Sequence, residues 1–419
     1  MRDLADWLAW QERNYPRVID LGLERLGAVL ARIGWVQPQV PVVTVAGTNG
    51  KGSVSAYVHA IAKAAGLRAG LFTSPHLRDY RERLRVGPQF VSAAQLVDAF
   101  ERIEAARGDI GLTFFEYNTL AALLIFTQAK LDLWVLEIGL GGRLVSIGLD
   151  HQEYLGHTLQ AIGAEKAGIF RTGRPAVLGH ADLPDSVSRT ALERGALLKR
   201  PGLEFAHSPL ESGRWSYRGP RWSLSLHEPS MFGPTQLDNA ATAIAALEAL
   251  GTRLSLPPEA IDRGLASVRL PGRFQVIDPP GGGPRWILDV AHNPAAAAVL
   301  ARNLHSLPAA GRTLAVFGML SDKDPGSVVA ELEAEIDHWY LASTDGPRGL
   351  DAPHLMQRVG AQIGRRHTCG GTLAETCALA RSHAAPADRI VAFGSFHSVA
   401  PVLDWLEAQG LKPTEPAMA

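Results

Sequence analysis

Short apolar runs alternate with amphipathic or alanine-rich stretches along most of the chain. Apolar runs bounded by glycine and proline predict β-strands, and the longer stretches between them predict helices. The first part of the chain predicts the strands PVVTVAG, RAGLFTS, LDLWVLEIG and PAVLG and the helices SAAQLVDAFERIEAAR, FFEYNTLAALLIFTQAK and NAATAIAALEAL. After VRLPGRF, a second series predicts the strands RWILDVAHNP, TLAVFGML, HWYLAS and RIVAFGSF, each followed by a helix-like stretch. This alternation predicts an α/β fold with largely parallel sheets.

A glycine-rich loop, VAGTNGKGS, joins the first predicted strand to an alanine-rich helix. Backbone N–H groups at a helix N-terminus bind anions, so such a loop predicts a phosphate site in which Lys51 neutralises charge and Ser53 ligates Mg²⁺. The loop departs from the usual GxxxxGK[ST] pattern, because Gly52 separates Lys51 from Ser53. The alternative is a glycine-rich turn that carries a solvated lysine.

Only the first series of predicted strands and helices contains this loop, and the second series begins near Leu270 to Arg273. We therefore expect a P-loop-containing N-terminal domain with a mainly parallel sheet at residues 1–270. A smaller Rossmann-like α/β domain is expected at residues 271–419. A chain of 419 residues, 46% of them hydrophobic, is long enough to bury two cores.

Composition and charge disfavour several classes of function and location. Lys and Arg total 41 against 42 for Asp and Glu, so nothing predicts binding to nucleic acid or to an acidic membrane. Cys369 and Cys377 form neither a CxxC motif nor a disulfide framework, as suits a reducing compartment. The N-terminal stretch lacks the pattern of an export signal, and the most apolar stretch is interrupted by Gln128, Lys130 and Asp132. We expect a cytoplasmic protein.

Other chemistry-bearing residues follow predicted strands. Glu137 ends LDLWVLEIG, where a carboxylate either holds Mg²⁺ or caps the glycine loop. His151 has a similar position, and by itself favours a structural role over a metal ligand. Lys166 alone predicts a solvated helix residue, and Asp289 and His292 end a further strand, where His292 is either a cap or a catalytic group. No HExxH, zinc-type spacing, GxSxG or NKxD motif is present, which disfavours metalloprotease, hydrolase and GTPase functions.

Taken together, separated motifs resemble those of folylpolyglutamate synthases and bifunctional dihydrofolate synthases, in the Mur ligase superfamily. The resemblance runs from about Ile19 to Val399. It rests on IDLGLERL, VAGTNGKGS, TSPHLRDYRERLRV, LTFFEYNTLAALLIF, LEIGLGGRL, GLDHQEYLG, EKAGIFR, LDNAATAIAAL, LPGRF, DVAHNP and MLSDKD, in that order.

This resemblance implies an ATP-dependent ligase that uses Mg²⁺ and acts through an acyl phosphate. Its substrates would be ATP, L-glutamate, dihydropteroate and reduced folates, and we expect a monomer with both activities. The alternatives are a Mur-type ligase that adds an amino acid to a cell-wall precursor, a monofunctional folylpolyglutamate synthase, and a P-loop switch protein without ligase activity.

The resemblance also implies roles for individual residues. Lys51, Lys166 and His292 would be catalytic, with Lys166 carbamylated. The implied ATP contacts are Asn49, Gly50, Lys51, Gly52, Ser53, Asn239, Arg273 and Asp289. The implied metal ligands are Ser53, Ser74, Glu137 and His151. The implied pterin pocket contains Leu23, Glu24, Arg25, Thr113, Phe114, Phe115, Glu116 and Leu144.

One departure concerns the join between Leu144 and Val145, where relatives have about a dozen more residues. The apolar runs on either side of this join are too close for parallel strands, which need a crossover of about a dozen residues. A real deletion would disturb the pterin pocket. We favour a longer native polypeptide, which an intact mass above 44.9 kDa would establish.

Overall fold

The computed structural model describes residues 2–14, 22–138, 158–307, 309 and 311–411. The described chain divides into two compact units. The first contains the described residues up to 138, residues 158–228 and Asp238–Val268. The second contains Pro229–Leu237 and the described residues from Arg269 onward. The predicted α/β architecture is confirmed.

A five-stranded sheet forms the centre of the first unit, in the order β1-β5-β2-β3-β4. Strands β1, β5 and β2 are parallel, whereas β3 and β4 add an antiparallel edge. The remaining strands form a two-stranded parallel sheet, β6-β7, and a three-stranded antiparallel sheet, β10-β9-β8. The strands of this unit are β1 Val42–Val45, β2 Ala69–Phe72, β3 Leu84–Val86, β4 Gln89–Phe90, β5 Leu133–Glu137, β6 Pro175–Val177, β7 Leu197–Lys199, β8 Ala206–Pro209, β9 Arg214–Arg218 and β10 Ser223–His227.

The following helices lie wholly or mostly in the first unit. They are α1 Leu4–Asn14, α2 Glu24–Ile33, α3 Lys51–Ala64, α4 Ala93–Arg107, α5 Phe114–Gln128, α6 Leu159–Ala167, α7 Asp185–Glu193, α8 Thr235–Glu248 and α9 Pro258–Ser267. A short 3-10 helix, Tyr80–Arg83, precedes β3. Helices α4 and α5 bury Phe100, Ile103, Leu120 and Phe126 in the main core of this unit.

Helix α3, which follows the glycine loop, packs tightly against α9. A Cβ atom added at Gly264 would lie only 2.5 Å from the Cα atom of Ile61, so glycine is what allows the two backbones to approach. Arg263 also donates from Nη2 to the Ala64 carbonyl, at 3.1 Å and across 199 residues of sequence. The start of α3 is therefore carried by a well-anchored helix.

The second unit is a six-stranded sheet in the order β11-β12-β16-β13-β14-β15, parallel except for β11. Its strands are β11 Gln275–Ile277, β12 Arg285–Asp289, β13 Thr313–Phe317, β14 His338–Ser343, β15 His367–Thr372 and β16 Arg389–Phe393. Its helices are α10 Pro294–Ser306, α11 Pro325–Leu332, α12 Ala352–Ile363, α13 Leu373–His383 and α14 Phe396–Ala408. The central strands β13 and β16 are buried along their whole length, as their continuous apolar runs predict.

Candidate active site

The glycine loop joins β1 to α3 through backbone that glycine permits. Gly47 and Gly50 have φ values of +151° and +80°, and α3 begins at Lys51, directly after Gly50. Gly50 is the N-cap and has no side chain to satisfy the first N–H groups of the helix. Ser53 lies buried in the first turn of α3. This is the arrangement that binds phosphate at other helix N-termini.

Two lysine side chains converge on the same loop carbonyl. Lys51 Nζ donates to Gly47 O at 2.8 Å and to Thr48 O at 3.1 Å. Lys166, in the last turn of α6, is buried, and its Nζ donates to Gly47 O at 3.4 Å. Two basic side chains thus share one acceptor in the glycine loop.

Glu137 lies beside the loop at the carboxyl edge of the sheet. It ends β5, pairs in register with Val45 at the end of β1, and is buried. On the other side of β5, Phe72 pairs with Leu136, and the chain continues from β2 to Ser74 two residues later. The ends of three parallel strands thus gather the loop, Glu137 and Ser74 on one edge of the sheet, where ligands bind in α/β proteins.

The donor set on this edge suits a hard cation. A carboxylate from Glu137 and hydroxyls from Ser53 and Ser74 are oxygen donors of the kind Mg²⁺ prefers, and Mg²⁺ usually completes its shell with phosphate and water. Among the described residues, no group of three or more His, Cys, Asp or Glu forms a ready-made metal cluster. A magnesium ion here would therefore depend on nucleotide oxygens as well as protein ligands. His151 lies outside the described residues.

The two segments predicted to bind the pterin are in direct contact. Arg25, at the start of α2, pairs with the buried Glu116 of α5, with Nη2 and Oε1 3.0 Å apart. The other carboxylate oxygen of Glu116 accepts from Thr113 N at 2.8 Å, and Thr113 Oγ1 accepts in turn from Glu116 N. Glu116 is thus committed to a capping box and an ion pair.

Apolar surface accompanies this polar core. Leu23, the N-cap residue of α2, is 68% exposed, an unusual environment for a large apolar side chain. Phe114 and Phe115 follow Thr113 and are partly buried, with ring centroids 6.1 Å from Tyr80 and 5.9 Å from Phe72, respectively. Leu144 lies outside the described residues.

In the second unit, Asp289 organises the turn that carries Arg273. Asp289 ends β12, and its two carboxylate oxygens accept from Phe274 N at 2.9 Å and Ala291 N at 2.8 Å. Phe274 has φ +44°, a strained conformation for a bulky residue, and its ring stacks on Phe232 at 4.8 Å. Burial raises the pKa of Asp289, and the neighbouring Arg273 opposes that shift.

Of the other predicted residues, one lies in a loop and one on a helix. His292 Nδ1 lies 2.8 Å from the Val290 carbonyl, just before α10, so Nδ1 carries the proton of this hydrogen bond. Asn239 is buried on α8 in the first unit.

The sequence analysis did not single out Arg83 and His76, although both lie within the TSPHLRDYRERLRV motif. Arg83 is buried, and its Nε donates to His76 Nδ1 at 2.8 Å.

The chain resembles known proteins of one enzyme class. Residues 272–396 match the family model described as the Mur ligase, glutamate ligase domain. The chain is also 43% identical to the dihydrofolate synthase/folylpolyglutamate synthase of Escherichia coli K12, over 97% of this chain and 96% of that protein. A glutamate-ligase domain of the Mur type defines a ligase.

Solved structures agree with this assignment. E. coli FolC in complex with DHPP and ADP matches with a TM-score of 0.90 and 42% identity, over 98% of this chain and 99% of that one. A bifunctional folylpolyglutamate synthase/dihydrofolate synthase with Mn, AMPPNP and L-glutamate bound matches with a TM-score of 0.86 and 41% identity, over 98% and 99% of the two chains. The chain belongs to the dihydrofolate synthase/folylpolyglutamate synthase family.

Proposed function

We propose that this protein is an ATP-dependent ligase that adds L-glutamate to dihydropteroate and to reduced folates. The observation that carries the proposal is the edge of the five-stranded sheet, where the glycine loop, Glu137 and Ser74 follow three parallel strands. Family membership supplies the substrate class, because relatives in this family bind ADP, AMPPNP, DHPP and L-glutamate.

The loop and the N-terminus of α3 would bind the ATP phosphates. Asn49, Gly50, Gly52 and Ser53 belong to this segment, and Lys51 would turn from the Gly47 and Thr48 carbonyls towards the γ-phosphate. Ser53, Ser74, Glu137 and His151 would hold Mg²⁺, which neutralises charge on the phosphates when bound. Asn239, Arg273 and Asp289 stay predicted nucleotide contacts on the basis of the family resemblance.

The chemistry proceeds in two displacements. A carboxylate oxygen of the pterin substrate attacks the γ-phosphorus of ATP, the bond to the bridging oxygen breaks, and ADP leaves. The amino nitrogen of L-glutamate then attacks the acyl carbon, inorganic phosphate leaves with the bonding electron pair, and the nitrogen loses a proton. The first displacement is needed because a carboxylate oxygen is a poor leaving group. The protein contributes orientation and charge neutralisation in both steps.

Lys166 would act as a carbamate. Its Nζ lies 3.4 Å from Gly47 O, the carbonyl that also accepts from Lys51, so the modified group would lie beside the glycine loop. A neutral amine reacts with carbon dioxide, and the resulting anion attracts both the Lys51 ammonium and a metal ion. His292 would help to orient phosphate or glutamate in the second displacement.

The pterin would bind along the Arg25–Glu116 pair. The polar groups of this pair are already matched, so Leu23, Phe114 and Phe115 would supply the apolar surface for the pterin and aminobenzoate rings. Leu144 stays a predicted pocket residue on the basis of the family resemblance alone.

Product analysis with Mg²⁺-ATP and L-glutamate tests the proposal. ADP should form on addition of either dihydropteroate or tetrahydrofolate, and each product should gain the mass of one glutamate residue. With ¹⁸O in the dihydropteroate carboxylate, one labelled oxygen should appear in the released phosphate, as an acyl phosphate requires. A response to tetrahydrofolate alone would indicate a monofunctional synthase, and a response to neither would defeat the folate assignment.

A further inference from the structure

Arg83 is a buried cation in the first unit for which the reaction above assigns no role. It ends the 3-10 helix Tyr80–Arg83 and is 7% exposed. Its guanidinium carbon lies 5.4 Å from the centre of the Phe114 ring and 5.6 Å from that of Tyr80. The guanidinium thus lies beside two aromatic rings, one of them in the proposed pterin segment.

The hydrogen bonding of this guanidinium is incomplete within the described chain. A guanidinium has five N–H donors, and here the Nε donor alone bonds to a described residue, His76. No carboxylate of a described residue forms an ion pair with Arg83. A buried arginine normally has a carboxylate or phosphate partner, because an unpaired buried charge is costly. The two Nη groups therefore present the geometry that binds a carboxylate in two parallel hydrogen bonds.

The surroundings of Arg83 indicate which anion fits. Phe114 belongs to the proposed pterin segment, and the backbone carbonyl of Arg83 accepts from Thr73 N at 2.9 Å, directly before Ser74 of the proposed metal site. Arg83 is thus adjacent both to a residue assigned to the aromatic part of the substrate and to a segment assigned to phosphoryl transfer. The substrate atoms that must occupy such a position are those of the reacting carboxylate.

We propose that Arg83 binds the reacting carboxylate of the pterin substrate and holds it in line with the γ-phosphate of ATP. This inference rests on the proposed function. A carboxylate and a triphosphate repel each other, and a cation between them reduces that repulsion while fixing the approach of the nucleophile. His76 is a positioning residue, because its Nδ1 accepts from Nε and turns the two Nη groups towards the substrate.

The test compares dihydropteroate with its carboxamide analogue, which keeps both rings and lacks the anionic carboxylate. Dissociation constants are measured in the presence of Mg²⁺-ADP for the wild type, Arg83→Gln, Arg83→Lys and Arg85→Gln. Arg85 is the matched control, since it is a partly buried arginine two residues away that lies 4.2 Å over Phe90. We expect the wild type and Arg85→Gln to prefer the carboxylate by about tenfold to a hundredfold. Arg83→Gln should bind both ligands equally.

The inference is overturned if the wild type binds dihydropteroate and the carboxamide equally. It is also overturned if Arg83→Gln prefers dihydropteroate as strongly as the wild type does. Binding of Mg²⁺-ADP reports whether Arg83→Gln is folded. If Arg83→Gln is not folded, Arg83→Lys provides the test. Its single ammonium should reduce both the preference for dihydropteroate over the carboxamide and kcat, while the KM for ATP stays unchanged. An Arg83→Lys enzyme with wild-type preference and kcat would also overturn it. Absence of glutamate ligation by the wild type would instead contradict the proposed function itself.

Discussion

Arg25 and Glu116 lie 91 residues apart in the chain and form an ion pair, with Arg25 Nη2 3.0 Å from Glu116 Oε1. The pair joins α2 to the N-terminus of α5, and Glu116 simultaneously completes the capping box with Thr113. The two segments proposed to line the pterin pocket therefore hold each other in place.

Separate and combined substitutions of this pair should give non-additive effects on pterin binding. Arg25→Ala and Glu116→Gln should each raise the KM for dihydropteroate about tenfold, and the double variant should be little worse than either, with a coupling of about 1 kcal/mol. The KM for ATP should stay unchanged. Additive effects on the KM for dihydropteroate would show that the two residues act independently.

Lys51→Ala should abolish ligation while the protein stays folded. The Lys51 ammonium donates to the Gly47 and Thr48 carbonyls of the glycine loop, and its loss removes charge that the transferring phosphoryl group requires. We expect kcat to fall by about 10² to 10³. Lys63→Ala, on the exposed end of the same helix, serves as the control and should keep its activity. Near-wild-type turnover of a folded Lys51→Ala protein would refute the phosphate site.

Lys166 should carry a carbamate in the active enzyme. Preparation without carbon dioxide should lower activity reversibly, and bicarbonate should restore it. Lys166→Ala should be inactive and partly rescued by short carboxylic acids, which should have no effect on Lys51→Ala. A plain amine at Lys166 in an experimental structure with Mg²⁺-ATP bound would contradict this prediction.

His59 should make the first unit sensitive to mild acid. This histidine is buried on α3, and burial, followed by the charge of Arg85, lowers its pKa from 6.5 to about 4. The folded state therefore favours the neutral ring, so the stabilisation is complete above pH 6.5 and is lost as the pH falls from 6.5 towards 4. Between pH 7 and pH 5 this amounts to about 2 kcal/mol.

Urea denaturation of the wild type and His59→Gln at pH 7 and pH 5 measures this contribution. The free energy of unfolding of the wild type should fall by the larger amount between the two pH values. Equal losses in the two proteins would mean that other groups cause the acid sensitivity.

Asp289→Ala should weaken nucleotide binding through the Arg273 turn. The substitution removes the acceptor of the Phe274 and Ala291 N–H groups. Without these hydrogen bonds, the backbone of Phe274 is less constrained to φ +44°. We expect the KM for ATP to rise about tenfold or more, with a smaller loss in Asp289→Asn, which keeps one acceptor oxygen. Titration with ADP checks the effect on binding directly, and an unchanged KM for ATP in a folded Asp289→Ala protein would refute it.

Sequence reasoning predicted the buried strands well and the exposed ones poorly. Strands such as β5 and β13 are continuous apolar runs because helices cover both faces of their sheets. The antiparallel strands β8 to β10 were not predicted, because they are short, partly exposed and rich in polar residues, and β8 contains the sequence AHSP. Such strands have no periodic apolar signal.

Residues of the candidate active site also differ in how far local sequence marks them. The glycine loop and Glu137 could be proposed as site residues from sequence because each is marked by its neighbours along the chain. The Arg25–Glu116 contact could not be predicted from local pattern, since it depends on tertiary folding. Arg83 was missed for a related reason. It stands in the run RDYRERLRV, where nothing in the sequence distinguishes it from Arg81, which is exposed and paired with Asp79.

The close packing of α3 against α9 has a consequence for biosynthesis. The helix that carries Lys51 and Ser53 leaves the ribosome long before its partner, because Arg263 follows Ala64 by 199 residues. At about 5 to 20 residues per second, that interval is roughly 10 to 40 s. During this time the face of α3 around Ile61 has no α9 to cover it, and the nascent chain offers chaperones an apolar surface. The glycine loop is thus complete as a sequence early in translation, and the helix that follows it acquires its full packing only when nearly two thirds of the protein has been made.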